Sequence, residues 1–453
     1  MAGLAAALGC ADQGAQVTVV ERRNRLGGLT WSFEHNGFWV DNGQHVFLRC
    51  CDQYIGFLER IGAAGDVELP ERLDIPVVAP ATRGGQGPRI GRLRRSDLPA
   101  PFHLARSLLR FPHLPLGDRL GLGRAVAGLR RLRLDDPALD ERTFGDWLRS
   151  RGQSPAAIAA IWDLITVPTV NLPAAEASLA IAAKVFQTGL LTDNDAADMG
   201  WSKVPLGRAH GERAAAALAT AGVEVRTGTR VQGIELDPLP GRDPSYRVRS
   251  DAGGLEADAV VVAVPHTEVG AVLPEGAIAD QDRLSELGTS AIVDVHLVFD
   301  RRVTRWPLMA GCQSPVQWVF DRTASSGLET RPGGPQYLAV SLSAADDLVG
   351  RRPEDLIAGI RTELTRLLPA AAGAQVLDSL VTKERHATFR AAPGTARRRP
   401  IQKTRWPGLA VAGAWTDTGW PATMEGAVRS GRAAADAVMS DDRLYLTTTE
   451  EVA

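Results

Sequence analysis

Apolar residues recur on one helical face at Leu4, Ala7, Leu8 and Ala11 with Gly14 behind them, so residues 1–15 are predicted to form a helix that stops at a glycine. Residues 16–20 switch to a strand pattern and end in Glu21. Near the other end, 409–412 read as a short buried strand and 413–420 as a turn-rich loop. From 421 onward a helix is predicted whose first turn holds Pro421, small residues and Glu425. Strands are also predicted over 223–226, 229–234 and 257–265, the last a β-branched run of the kind buried on both faces. Residues 291–299, 316–320 and 337–342 alternate as strands, and 353–368 form a helix opened by Pro353 and acidic residues. That grouping predicts an antiparallel sheet domain inserted into a larger fold. Helices are expected over 143–151, 156–164, 177–186 and 208–221, with the stretch 166–173 breaking the run. Residues 83–95 are expected as a surface loop or hairpin.

The order at the start carries chemistry. A helix, a buried strand and an acidic residue make the second half of a dinucleotide-binding βαβ unit, in which Glu21 would hydrogen-bond a ribose hydroxyl about twenty residues after the glycine motif. No strand and no complete Gly-x-Gly-x-x-Gly precede the helix, and only Gly3 stands where the last glycine would. The chain is therefore expected to begin inside that fingerprint. The basic stretch from Arg22 to Gly27-Gly28 can wrap a pyrophosphate or be an ordinary solvated turn. Asp41, Asn42, Gln44 and His45 crowd a polar turn after an apolar strand, where they could cap a helix or line a site. The helix N-terminus after 421 suits a ligand carrying negative charge, its small residues Gly426, Ala427, Ser430 and Gly431 admitting a flat ring; a small-residue helix docked on a sheet is the other reading.

Composition narrows the class. At 453 residues and 44% hydrophobic the chain can hold two or three cored domains, and a formal net charge of -2 gives no reason to expect nucleic acid. Cys10, Cys50, Cys51 and Cys312 form no metal-ligand spacing, which predicts a reduced cytoplasmic protein without a metal site. Neither a signal peptide nor a bilayer-spanning run is seen. Residues 96–133 set Leu, Phe and Pro among Arg106, Arg110, Arg119 and Arg124. The pattern fits a basic amphipathic face lying on the inner side of the plasma membrane, or helices of a substrate domain with a solvated face.

Gly3, Glu21, Arg25-x-Gly27-Gly28, Asp41-Asn42-Gly43-Gln44-His45 and the 413–431 segment together resemble the flavin-dependent amine oxidase and phytoene desaturase superfamily. Within it, the Asp-Asn-Gly-Gln-His-Val string and the sequence from Trp415 to Gly431 are most similar to the bacterial hydroxysqualene dehydroxylases of squalene and hopanoid biosynthesis. The resemblance implies an α/β fold: a Rossmann-like FAD-binding domain from 1–70, 200–285 and 400–440, an inserted α+β substrate domain from 71–199 and 286–399, and a flexible tail over 441–453. It places Gly3 and Glu21 at the adenosine end, Arg22, Gly27 and Gly28 at the pyrophosphate, Val231 at the adenine, and Gly413 beside the linking chain. Met424, Glu425 and Ala427 would face the ring's pyrimidine edge, where a helix dipole favours the reduced flavin by about 1 kcal/mol. Two departures stand out: Ala414 and Leu29, where many members carry Asp and Arg.

The activity so implied is reductive removal of an allylic hydroxyl from a long-chain isoprenoid, hydroxysqualene, with NAD(P)H or an electron carrier as reductant and squalene-pathway enzymes as partners. A proton donor is needed because hydroxide leaves poorly, and Asp41 and His45 are the candidates. A carotenoid-desaturase-like or amine-oxidase-like flavin oxidoreductase, and a truncated homologue that no longer binds flavin, are the alternatives.

Overall fold

The computed structural model describes residues 1–82, 87–237, 245–328 and 333–440. The tail expected over 441–453 lies outside the described residues, as does part of the 83–95 stretch. The first helix, Ala2–Asp12, is built from alanine and leucine and buries most of its length. Strand Thr18–Val20 follows and pairs in parallel with Glu224–Arg226, while Val260–Val262 pairs in parallel with Leu409–Val411. Each pair is a separate two-stranded sheet among the described residues. Thr18–Val20 and Val260–Val262 border the same cavity, so each turns an unpaired edge toward it.

The two ends of the chain meet on this layer. Helix Met424–Met439 packs along Ala2–Asp12, sharing a small-residue core of Ala2, Cys10, Ala410, Ala412, Ala434 and Ala435. Gly431 makes the approach possible, since a Cβ there would lie 2.2 Å from the Ala2 carbonyl oxygen, far closer than van der Waals contact allows. A second helix, Asp52–Arg60, closes the far side through Tyr54, Phe57 and Leu58.

A seven-stranded sheet stands over this layer, in the order Val376–Thr388, Ser290–Phe299, Gln336–Leu342, Trp318–Asp321, Leu308–Gly311, Asp74–Ala79, Arg89–Arg94. The expected antiparallel sheet is corrected to a mixed one, because Leu308–Gly311 runs parallel to Asp74–Ala79, a strand contributed from far upstream. Helix Pro353–Leu367 covers one face through Leu356, Ile360, Leu364 and Leu367 against Val293, Val295 and Leu297. On the other face, Ile292, Asp294 and His296 alternate toward the cavity layer.

One further expectation changes, and strands the sequence pattern did not show are added. The break placed over 166–173 moves to its end: helix Asp163–Val170 carries Pro168 inside it and stops at Asn171, which takes a left-handed conformation. The long strand Val376–Thr388 escapes an apolar pattern because, as an edge strand, it carries Lys383, Glu384, Arg385 and His386. Ser245–Ser250 and Gly253–Ala257 add two strands to Val231–Asp237, forming a three-stranded antiparallel sheet.

Candidate functional site

One cavity of about 2240 Å³ runs through the molecule and brings together residues from both ends and the middle of the chain. Its walls include Gly3, Glu21, Arg22, Gly27, Gly28, Val231, Gly413, Met424 and Ala427, together with Gln44 and His45. Glu21 sits where the first parallel strand ends; its carboxylate accepts from the Arg23 amide at 2.8 Å, which fixes its orientation at the cavity rim. Gly27 and Gly28 both have positive φ, +104° and +63°, so the backbone turns sharply there, and the Arg25 guanidinium lies 4.2 Å over the Trp31 ring while donating to the Gly28 carbonyl. Arg22 forms an ion pair with Glu268, from helix His266–Val272 far along the chain.

Gly413 ends the Leu409–Val411 strand. Its amide donates to the Ser430 hydroxyl at 2.9 Å, and a Cβ at this position would meet the Trp415 indole at 2.3 Å, so the backbone lies open to a close neighbour only because no side chain is there. Thr423 caps the following helix by accepting from the Gly426 amide at 3.1 Å. The sixteen-residue helix begins at Met424, which lines the cavity, so the positive end of its dipole lies at the cavity wall.

Glu425 requires a correction. It is 1% exposed and does not line the cavity; its carboxylate reaches across to the N-terminus of the Asp52–Arg60 helix, accepting from Tyr54 N at 2.7 Å and from Arg429 Nε. It clamps two helices rather than touching a ligand. Arg399 is likewise buried and donates to the carbonyls of Trp415 and Thr416, holding the 413–417 loop in shape.

The profile of the flavin containing amine oxidoreductases matches residues 1–439. The chain belongs to that family. This flavoenzyme is 28% identical over 456 residues to a hydroxysqualene dehydroxylase of Rhodopseudomonas palustris, covering 98% of this chain and 97% of the relative. It is 25% identical to the hydroxysqualene dehydroxylase of Zymomonas mobilis, covering 97% of each, and 25% identical to a zeta-carotene desaturase of Synechocystis, covering 97% and 96%. In fold it is similar to a putrescine oxidase solved with putrescine, at a TM-score of 0.71 and 20% identity over 97% of each chain.

The residues fit FAD. An acidic strand end, two positive-φ glycines, a side-chain-free backbone at Gly413 and the first residue of the Met424–Met439 helix all face one cavity. Leu29 and Ala414 also line it, so neither position brings a charged side chain to the cavity wall.

Beyond the helix N-terminus the cavity continues between apolar walls formed by Val46, Pro168, Ile292, Phe389 and Trp415. Asn171 pins this region: its amide donates to Ser290 O and Thr388 Oγ1, each at 3.0 Å, and its oxygen accepts from the Ala344 amide. Of the two proton-donor candidates, Asp41 does not line the cavity. It is buried in an ion pair with Arg322 at 2.6 Å and also accepts from Ser32 Oγ and the Leu206 amide. His45 does line it, with Nδ1 3.3 Å from the Gly43 carbonyl, and burial pushes its pKa below the ordinary histidine value. Glu384, on the charged edge strand, also reaches the cavity, and burial raises its pKa.

Asp294, which the sequence did not single out, lies directly behind the 42–45 turn. Its Oδ1 is buried without a hydrogen-bond partner, and its Oδ2 lies 3.8 Å from where a Gly43 Cβ would sit. Burial lifts its pKa from 3.8 to about 7, opposed by Ser341 and reinforced by the Asp41 charge. The folded chain thus keeps a proton that the unfolded chain releases, so the stability this carboxyl allows is full below pH 4 and is lost as pH rises toward 7. The Asp294→Asn variant is expected to gain on the parent by roughly 1 kcal/mol per pH unit between pH 5 and 7. Thermal midpoints of both proteins across that range check it, and parallel curves would remove the titration from Asp294.

Proposed function

We propose that this FAD-dependent oxidoreductase removes the allylic hydroxyl of hydroxysqualene reductively, giving squalene and water. The reading is carried by the similarity to hydroxysqualene dehydroxylases along nearly the whole chain, and it agrees with an apolar cavity that has one half-buried imidazole on its wall. Bound FAD, once reduced, supplies the hydride to the allylic carbon. The carbon–oxygen bond breaks with its electron pair on oxygen, and one proton is needed there so that water rather than hydroxide leaves. We assign that proton to His45, which lines the cavity with Nδ1 3.3 Å from the Gly43 carbonyl. Val46, Ile292 and Phe389 hold the hydrocarbon and keep water from the electron-poor carbon. NAD(P)H or a reduced electron carrier regenerates the reduced cofactor.

The zeta-carotene desaturase relative favours a second reading in which hydride moves from a polyene to the flavin. Purified FAD-loaded protein incubated without oxygen, with a reductant and hydroxysqualene, is expected to yield squalene by gas chromatography with mass detection. Phytoene or ζ-carotene consumed under oxidising conditions, with hydroxysqualene untouched, would reverse the assignment.

A further inference from the structure

Five of the large apolar side chains that stand exposed crowd into 23 residues: Leu98 (52%), Phe102 (60%), Leu109 (49%), Leu116 (63%) and Leu120 (65%). Three of them fall on two short stripes. On helix Leu116–Leu129, Leu116, Leu120 and Arg124 follow one another four residues apart and so share a face. Beside it, Phe102, Arg106 and Arg110 repeat the same spacing through the turn Phe102–Leu104 and helix Ala105–Leu109. The Arg119 side chain links the two helices by donating to the Leu109 carbonyl at 2.9 Å, and Ser107 ties the shorter one to strand Arg89–Arg94 by donating to the Arg94 carbonyl at 3.1 Å. From 89 to 133 the sequence holds eleven arginines against two acids, Asp97 and Asp118, in a chain whose net charge is only -2. Asp97 is tied to Arg72, whereas among the described residues Arg106, Arg110 and Arg124 pair with no carboxylate.

We propose that this face docks the protein on an anionic lipid bilayer. Leucine and phenylalanine tips enter the headgroup boundary, and the guanidinium groups one turn away stay at phosphate level, where their long stems let them reach. Charge decides the occupant: a self-associating copy would have to bring a second array of unpaired arginines against the first. No helix among the described residues is long and apolar enough to cross a membrane, so the contact is peripheral. The inference holds for whichever substrate the enzyme takes.

Vesicle co-sedimentation of the FAD-loaded protein tests it. Binding to phosphatidylcholine vesicles containing a third phosphatidylglycerol is expected, with little binding to phosphatidylcholine alone and release by salt. Arg106→Glu with Arg124→Glu should weaken binding by at least about fivefold per arginine removed. Phe102→Ser with Leu116→Ser should abolish it, while Leu377→Ser, equally exposed but on the opposite edge strand of the seven-stranded sheet, should change nothing. Unaltered thermal midpoints and flavin absorbance establish that the variants fold. Protein left in the supernatant with anionic vesicles, or pelleted equally by every variant, would overturn the proposal. So would a wild-type dimer in sedimentation velocity that Phe102→Ser with Leu116→Ser converts to monomer without any lipid binding.

Discussion

Arg322→Ala will lower stability by about 3–5 kcal/mol, seen as a fall in thermal midpoint and in soluble, flavin-loaded yield. Asp41 and Arg322 are both buried, 5% and 9% exposed on their side chains, and the guanidinium also donates to the Ser202 carbonyl at 2.9 Å. Removing the cation leaves a carboxylate with nowhere to place its charge, and strands the turn that leads into Gln44 and His45. The Asp41→Asn, Arg322→Met pair should be less destabilised than the two single losses added together, because the double change removes the isolated charge. Additive losses would mean that the two side chains act independently, and that the turn is held by something else.

His45→Gln will reduce kcat by roughly 10²- to 10⁴-fold in the hydroxysqualene reaction, with flavin content and KM little changed. Burial keeps this imidazole neutral at ordinary pH, so the wild-type rate should fall as pH rises and the protonated form grows scarcer. The variant should lose that slope along with the rate. If the slope survives in His45→Gln at full kcat, the proton comes from elsewhere on the wall, and Glu384→Gln becomes the variant to measure.

Local pattern was readable where local pattern is what shapes the chain. Helices Ala2–Asp12 and Pro353–Leu367 and strand Ser290–Phe299 announce themselves through apolar spacing, and Glu21 at a strand end, Gly27-Gly28 and residues of the 413–424 segment, singled out by motif, do border one cavity. Long-range partners were not readable. Glu425 was expected at a ligand because the family resemblance placed it at the ring's pyrimidine edge; its real partner, the Tyr54 amide, lies 371 positions away. Asp41 looked like an acid in a polar turn, and the arginine that binds it is 281 positions distant. Asp294 alternates with Val293 and Val295 in what reads as an ordinary strand, and only the packing of the 42–45 turn over it makes its proton unusual. Strand Val376–Thr388 hides for the opposite reason, since a lateral strand exposed to water can carry charge along most of its length without losing its pairing.

The parallel pairs formed by Thr18–Val20 and by Val260–Val262 have a corollary for how this molecule meets other chains. A row of peptide groups without partners binds whatever extended backbone comes near, and here two such rows open on one hollow. A single extended segment lying between them could zip both into one continuous layer, and that hollow is where strand exchange or clumping would begin.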